Sequence, residues 1–134
     1  MFDNRTLIGA IHSAKFPYYN IKTQTIEFKF RPVLVVEVEN QYGLSDVTAL
    51  PLSRINDRSR IIAEYDVKIQ NQEYPELNLT AKTSYVRTSK ITTFSNKDLR
   101  KTPLAQLSTT NPELYQKIIT KMKLYVEKIN LISA

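Results

Sequence analysis

Phe30-Arg31-Pro32-Val33-Leu34-Val35-Val36 decides how this chain is read. Proline has no N–H to give a sheet and is tolerated at the start of a strand or on an edge, while the unbroken apolar run behind it reads as a buried strand. Arg31 is thereby fixed at the mouth of a core strand, where its planar fork of donors suits phosphate. Read by itself, the position is that of an ordinary surface arginine before it is that of a phosphate ligand.

Around this strand the pattern is mostly β. Leu7 to Lys15 reads as a first strand, with Ile8, Ala10 and His12 on one face and Leu7, Gly9 and Ile11 on the other. Phe16-Pro17-Tyr18-Tyr19-Asn20 opens a long loop or ragged hairpin leading back to Phe28 and Phe30. The buried strand from Phe30 to Glu39 ends at the turn Asn40-Gln41-Tyr42-Gly43, and Ser45 to Leu52 resumes a strand that Pro51 confines to its end or an edge. Tyr65-Asp66-Val67-Lys68-Ile69 alternates as a half-buried strand, and Thr83 to Phe94 is rich in β-formers. There, Val86 and Ile91 differ in parity; burying both needs a bulge or kink within Thr88 to Lys90, or a change of sheet layer, and places Arg87 away from the core. Ser95 caps a short helical turn through about Arg100. Asn111 as a cap and Pro112 at the first helical position begin a final amphipathic helix with Leu114, Ile118, Met122, Val126 and Ile129 inward, Ile119 and Tyr125 widening the stripe. Five or six short, mostly antiparallel strands and one docked helix make an α+β domain around a small barrel-like sheet, with residues 1-134 as a single domain.

Composition narrows the chemistry. Nineteen Lys and Arg against thirteen Asp and Glu give a net charge of +6, which favours anionic partners. Without cysteine there is no disulfide framework, thiol nucleophile or usual zinc site, as expected for a reducing cytoplasm. His12 is the only histidine, so a Ser-His-Asp triad elsewhere and histidine-held metals are ruled out, and none of these residues suggests a metal or cofactor. The reading of His12 itself is a core or sheet-face histidine. Two glycines cannot make a P-loop or dinucleotide cradle. No leader peptide or membrane-spanning stretch is expected. Glu37 and Glu39 read as a solvated strand end. What stands out is a second arginine in a β context, Arg87, and a hydroxyl at a strand end, Ser53: two guanidiniums and a hydroxyl suit a pentacoordinate phosphate. From Lys82 to Lys101, basic residues interleaved with Tyr85 and Phe94 suit single-stranded nucleic acid.

Taken in order, Lys15-Phe16-Pro17-Tyr18, the Arg31-Pro32 run, Ala49-Leu50-Pro51-Leu52-Ser53, Tyr65 to Ile69 and Ser84-Tyr85-Val86-Arg87-Thr88 resemble the PemK/MazF family of type II toxin–antitoxin ribonucleases over most of the chain. The resemblance implies an SH3-like antiparallel β-barrel of the MazF/CcdB-like kind with a C-terminal amphipathic helix, usually as a homodimer. It implies metal-independent, sequence-specific cleavage of single-stranded RNA by 2′-hydroxyl attack on the neighbouring phosphate, and an antitoxin with an acidic binding tail. Carried over by position, Arg31, Ser53 and Arg87 are the catalytic residues, and the guanidiniums suit charge stabilisation better than proton transfer. Tyr18, Lys22, Lys29, Arg54, Ser89 and Lys90 are expected to contact RNA. Some members carry an aspartate where this chain has Ser89, which cannot be the base, so Glu27 is the acidic candidate. That departure keeps open a noncatalytic RNA-binding protein or a gyrase-poisoning relative on the same fold.

Overall fold

A long hairpin and one shared strand set the architecture. The structure, a computed structural model, describes residues 1–133. Strands β1 (Ile11–Asn20) and β2 (Thr25–Val38) pair antiparallel without a break from Ile11 opposite Leu34 to Asn20 opposite Thr25. Their turn closes through Gln24, at φ 56, whose N–H donates to the Asn20 carbonyl at 2.8 Å. Of the two readings of the segment after Phe16, long loop or ragged hairpin, the structure shows the hairpin, as a regular ladder, and β2 opens at Thr25 rather than Phe30. Its tyrosines, phenylalanines, threonine and isoleucine are β-formers, and the polar residues between them wet a projecting ribbon instead of breaking it. At the other end, β1 starts at Ile11 and not at Leu7, because Asn4–Leu7 forms a 3-10 turn capped by Asp3. Gly9 follows at φ 84, with Ser108 so close that a Cβ would collide with its side chain. Only glycine fits both demands.

Strand β3 (Asp46–Ser53) is shared by three neighbours. It pairs with β2 from Val38–Val47 to Val33–Pro51. Across its other edge lies β6 (Thr92–Ser95), and beyond that Leu52 and Ser53 pair with Val86 and Tyr85 of β5 (Thr83–Arg87), which in turn pairs with β4 (Asp66–Gln70). All these pairings are antiparallel, and the order β1-β2-β3-β5-β4, with β6 on β3, leaves an open sheet. The irregularity anticipated near Thr88 turns out to be the change of layer: Lys90 N–H closes a turn on the Arg87 carbonyl at 3.0 Å and hands the chain from β5 to β6. Ile91 consequently stays exposed. The register shift in the ladder lies elsewhere, between Val35 and Glu37 of β2; Val36 is the extra residue, and it lets Val35 and Val38 share a face.

The unbroken apolar run is explained by two cores, one on each face of the β1–β2–β3 sheet. Val33 and Val35 join Ala14, Val47, Phe94 and Leu99 on one side. Leu34 joins Ile11, Leu50, Val67, Val86 and the helical Leu107, Leu114 and Ile118 on the other. The helices are α1 (Leu107–Thr110) and α2 (Pro112–Ser133). Along α2 the predicted stripe holds through Leu114, Ile118 and Met122, and Tyr125 meets Tyr65 edge-on at 5.2 Å. Val126 and Ile129, expected inward, are exposed, because the helix outruns the sheet it packs on. Asn111 stands at the cap position before Pro112 as expected, its carbonyl accepting from the Tyr115 N–H, but its side chain bonds Thr110 and Glu76. Ser95 caps as expected, its hydroxyl accepting from Lys97 N–H. The fold is α+β, mostly antiparallel sheet with a C-terminal helix.

Candidate functional site

Proline 32 opens the cleft. Val35 donates its N–H to the Ala10 carbonyl just ahead of β1, so strand alternation turns the nitrogens of Leu34 and Pro32 toward β3. Pro32 has no hydrogen there, and the β2–β3 ladder stops at Val33–Pro51. Beyond that pair β3 continues with β5 instead, and β2 continues with β1 alone. A cleft of about 320 Å³ occupies the divergence, walled by Lys29 to Pro32 on one side, Leu52 to Arg54 on another, and Leu79 to Ala81 with Ser84 on the third.

Three cations, Lys29, Arg31 and Arg54, and the hydroxyls of Ser53, Thr80 and Ser84 line this cleft; no carboxylate or imidazole does. Arg31 is half-buried and makes no ion pair among the described residues. Its guanidinium lies 5.9 Å from the Phe16 ring, a loose contact that leaves its donors for a ligand. Lys29 lies 5.0 Å from the Tyr18 ring, extending the polar surface up the same face of the hairpin. An oxyanion entering this cleft meets charge and hydroxyl donors together, as phosphate recognition requires.

Of the sequence-predicted catalytic residues the structure brings Arg31 and Ser53 together, with Lys29 and Arg54 beside them, and leaves Arg87 apart. Arg87 was expected to face away from the core; it is buried. Its Nε donates to Asp66 Oδ1 at 2.9 Å and its Nη2 to the Arg60 carbonyl at 3.3 Å. The two residues are directly opposed in the β4–β5 register, which makes the pair a cross-strand one. Asp66 Oδ2 also accepts the Ile62 N–H at 2.8 Å. Together these bonds pin the connector running from Ser53 to β4.

Glu27 is at the far part of the hairpin, away from the cleft lining. Its carboxylate accepts from Asn20, Tyr18 and Thr23 at 2.9, 3.0 and 3.2 Å. Hydrogen bonds from the Asn20 amide first, then Tyr18, hold its carboxyl below the usual carboxylate range, which makes it a weak proton acceptor. Lys22 occupies the exposed hairpin turn. Ser89 and Lys90 sit in the turn after β5 and do not line the cleft; Ser89 Oγ is buried without a partner. His12 is buried as expected. Because a carbonyl can only accept, its Nδ1–H donates to Arg100 at 2.8 Å, and Nε2 is left with no partner.

Sequence reasoning missed the third wall, Leu79 to Ala81 with Ser84, and the partner of Arg87. Leu79 to Ala81 carries no motif, and Ser84 stood out only as part of the segment around Arg87. The Asp66–Arg87 pair was within reach: Arg87 is the lone charge of its strand and Asp66 the lone acid of its own, an arrangement that calls for a partner once the strands are paired.

Among the described residues no group of three or more His, Asp or Glu side chains is placed to hold a metal ion, and no helix is long and apolar enough to cross a membrane. Among curated proteins no relative matches. A family model does match, over residues 9–125, and its description is a PemK-like, MazF-like toxin of type II toxin–antitoxin systems. That span includes β1 to β6, every wall of the cleft and most of α2, and on it the chain belongs to the PemK-like, MazF-like family of type II toxins, whose partners are antitoxins.

Proposed function

We propose that this protein is a toxin that cleaves single-stranded RNA, using the cleft beside Pro32 to bind the scissile phosphate. The observation that carries the reading is the convergence of Arg31, Lys29, Arg54 and the Ser53 hydroxyl where β2 and β3 part. In the reaction, the 2′-hydroxyl oxygen bonds to the adjacent phosphorus and the bond to the 5′-oxygen breaks. The 2′-proton leaves to solvent, the 5′-oxygen takes one up, and the products are a 2′,3′-cyclic phosphate and a 5′-hydroxyl. Negative charge grows on the equatorial oxygens, where fixed cationic donors stabilise the transition state more than the ground state. Arg31 and Ser53 donate to those oxygens, and Lys29 and Arg54 hold the flanking backbone. Arg87 acts from a distance, by fixing the Ser53-to-β4 connector. No step needs a metal.

The broader reading joins these parts. Residues 1-134 act as one domain, an SH3-like barrel in kind, working in the cytoplasm as a homodimer, and the cognate antitoxin covers the basic cleft with an acidic tail. Incubation with long single-stranded RNA in EDTA tests the activity: cleavage with 5′-hydroxyl ends is expected, and its absence in every buffer would overturn it. A second reading, RNA binding without cleavage or poisoning of another target such as a gyrase, is favoured by the lack of a carboxylate or imidazole in the cleft. Growth arrest with cellular RNA left intact would select it.

A further inference from the structure

One face of the β1–β2 hairpin is largely apolar and is left about half exposed by the described residues. Strand register places Tyr19 beside Ile26, Pro17 beside Phe28 and Lys15 beside Phe30 on this face, with Ile26, Phe28 and Phe30 between 48 and 68% exposed. Soluble surfaces seldom leave such rings open in a row without a use. Two of the rings each carry a cation: Lys15 Nζ lies 4.4 Å from the centre of Phe28, and the Arg100 guanidinium 4.1 Å from that of Phe30. Arg100 is held there by its own backbone, whose N–H donates to the Ser13 carbonyl at 2.9 Å. Beside Phe30 is a hollow of about 120 Å³ lined also by Lys15, Lys97, Asp98, Leu99 and Arg100, three cations against one carboxylate. Phe30 is common to this hollow and to the phosphate cleft.

We propose that this face is a stacking platform for the RNA segment flanking the scissile phosphate, with Phe28 and Phe30 receiving bases and Lys15, Lys97 and Arg100 the backbone between them. The inference rests on the RNA-cleaving reading of the cleft. A cation over one side of each ring leaves the other side for a planar base, and paired charge and stacking is how single strands are held without sequence readout. Two same-face residues of a strand stand roughly 7 Å apart, which successive bases of an extended strand can span. Continuity through Phe30 gives the strand a path from the platform into the cleft. An acidic amphipathic peptide is the competing occupant, but the separate cation on each ring and the continuity with a phosphate-type cleft favour the polynucleotide.

The test measures binding of dye-labelled RNAs of about 12 and about 4 nucleotides, spanning known single-strand footprints, each 2′-O-methylated so that it cannot be cut. Phe28→Leu with Phe30→Leu removes the rings and keeps the apolar bulk; both sites are exposed, and an unchanged melting temperature checks the fold. The double variant is expected to bind the longer RNA roughly tenfold or more weakly and the shorter one almost normally. Lys15→Gln with Arg100→Gln is expected to flatten the salt dependence by about one unit per charge. If the ring variant binds the longer RNA like the parent while Arg31→Ala does not, the platform is overturned and the cleft reading stands. Failure of the unaltered protein to bind either RNA overturns both. Loss of binding to a synthetic Glu/Leu amphipathic peptide with RNA affinity unchanged assigns the face to a protein partner and overturns the platform.

Discussion

Arg31 and Arg87 present the same side chain from the same kind of sequence setting, a β-segment with a valine close by, and the fold surrounds them differently. Arg31 stands where a ladder has ended, in a cleft, its guanidinium 5.9 Å from the Phe16 ring and in no ion pair among the described residues. Arg87 stands inside a ladder, its guanidinium given to a fully buried Asp66. A guanidinium with spare donors can serve a ligand; one whose donors are already taken serves the frame. The difference comes from the strand neighbours: Pro32 denies β3 a donor beside Arg31, whereas Asp66 lies directly across from Arg87.

The comparison can be broken most forcefully at Arg87. Arg87→Ala strands a buried carboxylate, and a loss of about 3–5 kcal/mol in urea unfolding is expected. Pairing Arg87→Met with Asp66→Leu should restore about half of that, since the Ile62 N–H and the Arg60 carbonyl are then left without their partners. RNA cleavage by the restored double variant at near the parental rate would show that Arg87 supports the frame; a lasting loss of a hundredfold or more would place it in the chemistry. Arg31→Ala should do the reverse, lowering cleavage by about 10²–10³-fold while unfolding stays within about 0.5 kcal/mol of the parent. A shift of both quantities together would erase the contrast.

A smaller effect concerns His12, buried like Arg87 but without a charge partner. Burial pushes its imidazole below the ordinary value of 6.5, and the bond to the Arg100 carbonyl only partly opposes this. The unfolded chain then takes up a proton at higher pH than the folded one. Its contribution to stability is full above pH 6.5 and is lost as pH falls through the lower folded value, by at most about 1.4 kcal/mol per pH unit. His12→Gln should flatten the dependence of melting temperature on pH between neutral and mildly acid solution. The smallest change is expected from Glu27→Gln. If the carboxylate only organises the hairpin, cleavage stays within about twofold at neutral pH; a hundredfold fall would make it the base.

The strands, their order and the terminal helix were legible because alternation and turn residues are local. So was the importance of Arg31-Pro32, since a missing N–H has the same meaning in any context. What escaped the sequence depends on neighbours distant in the chain. The length of the hairpin was hidden by lysines and threonines that wet a projecting ribbon. Arg87 looked outward because parity was counted along one strand, whereas its burial is decided by Asp66 on another. Val126 and Ile129 fit the helical period, but periodicity does not tell how far the sheet beneath extends. Glu27 was singled out by elimination, and only its three hydrogen bonds show that it is already occupied.

Because β3 needs residues 83–95 along one edge and Pro32 leaves β2 paired with β1 alone at its mouth, the cleft is a late product of chain growth. Its walls come from residues 29–32, 52–54 and 79–84, so a ribosome that has not yet released residue 84 carries no assembled site. Contacts of such wide separation close slowly compared with the hairpin, whose partners are near in sequence. The hairpin can therefore pair while later residues are still being made, whereas the cleft assembles only once β5 is in place.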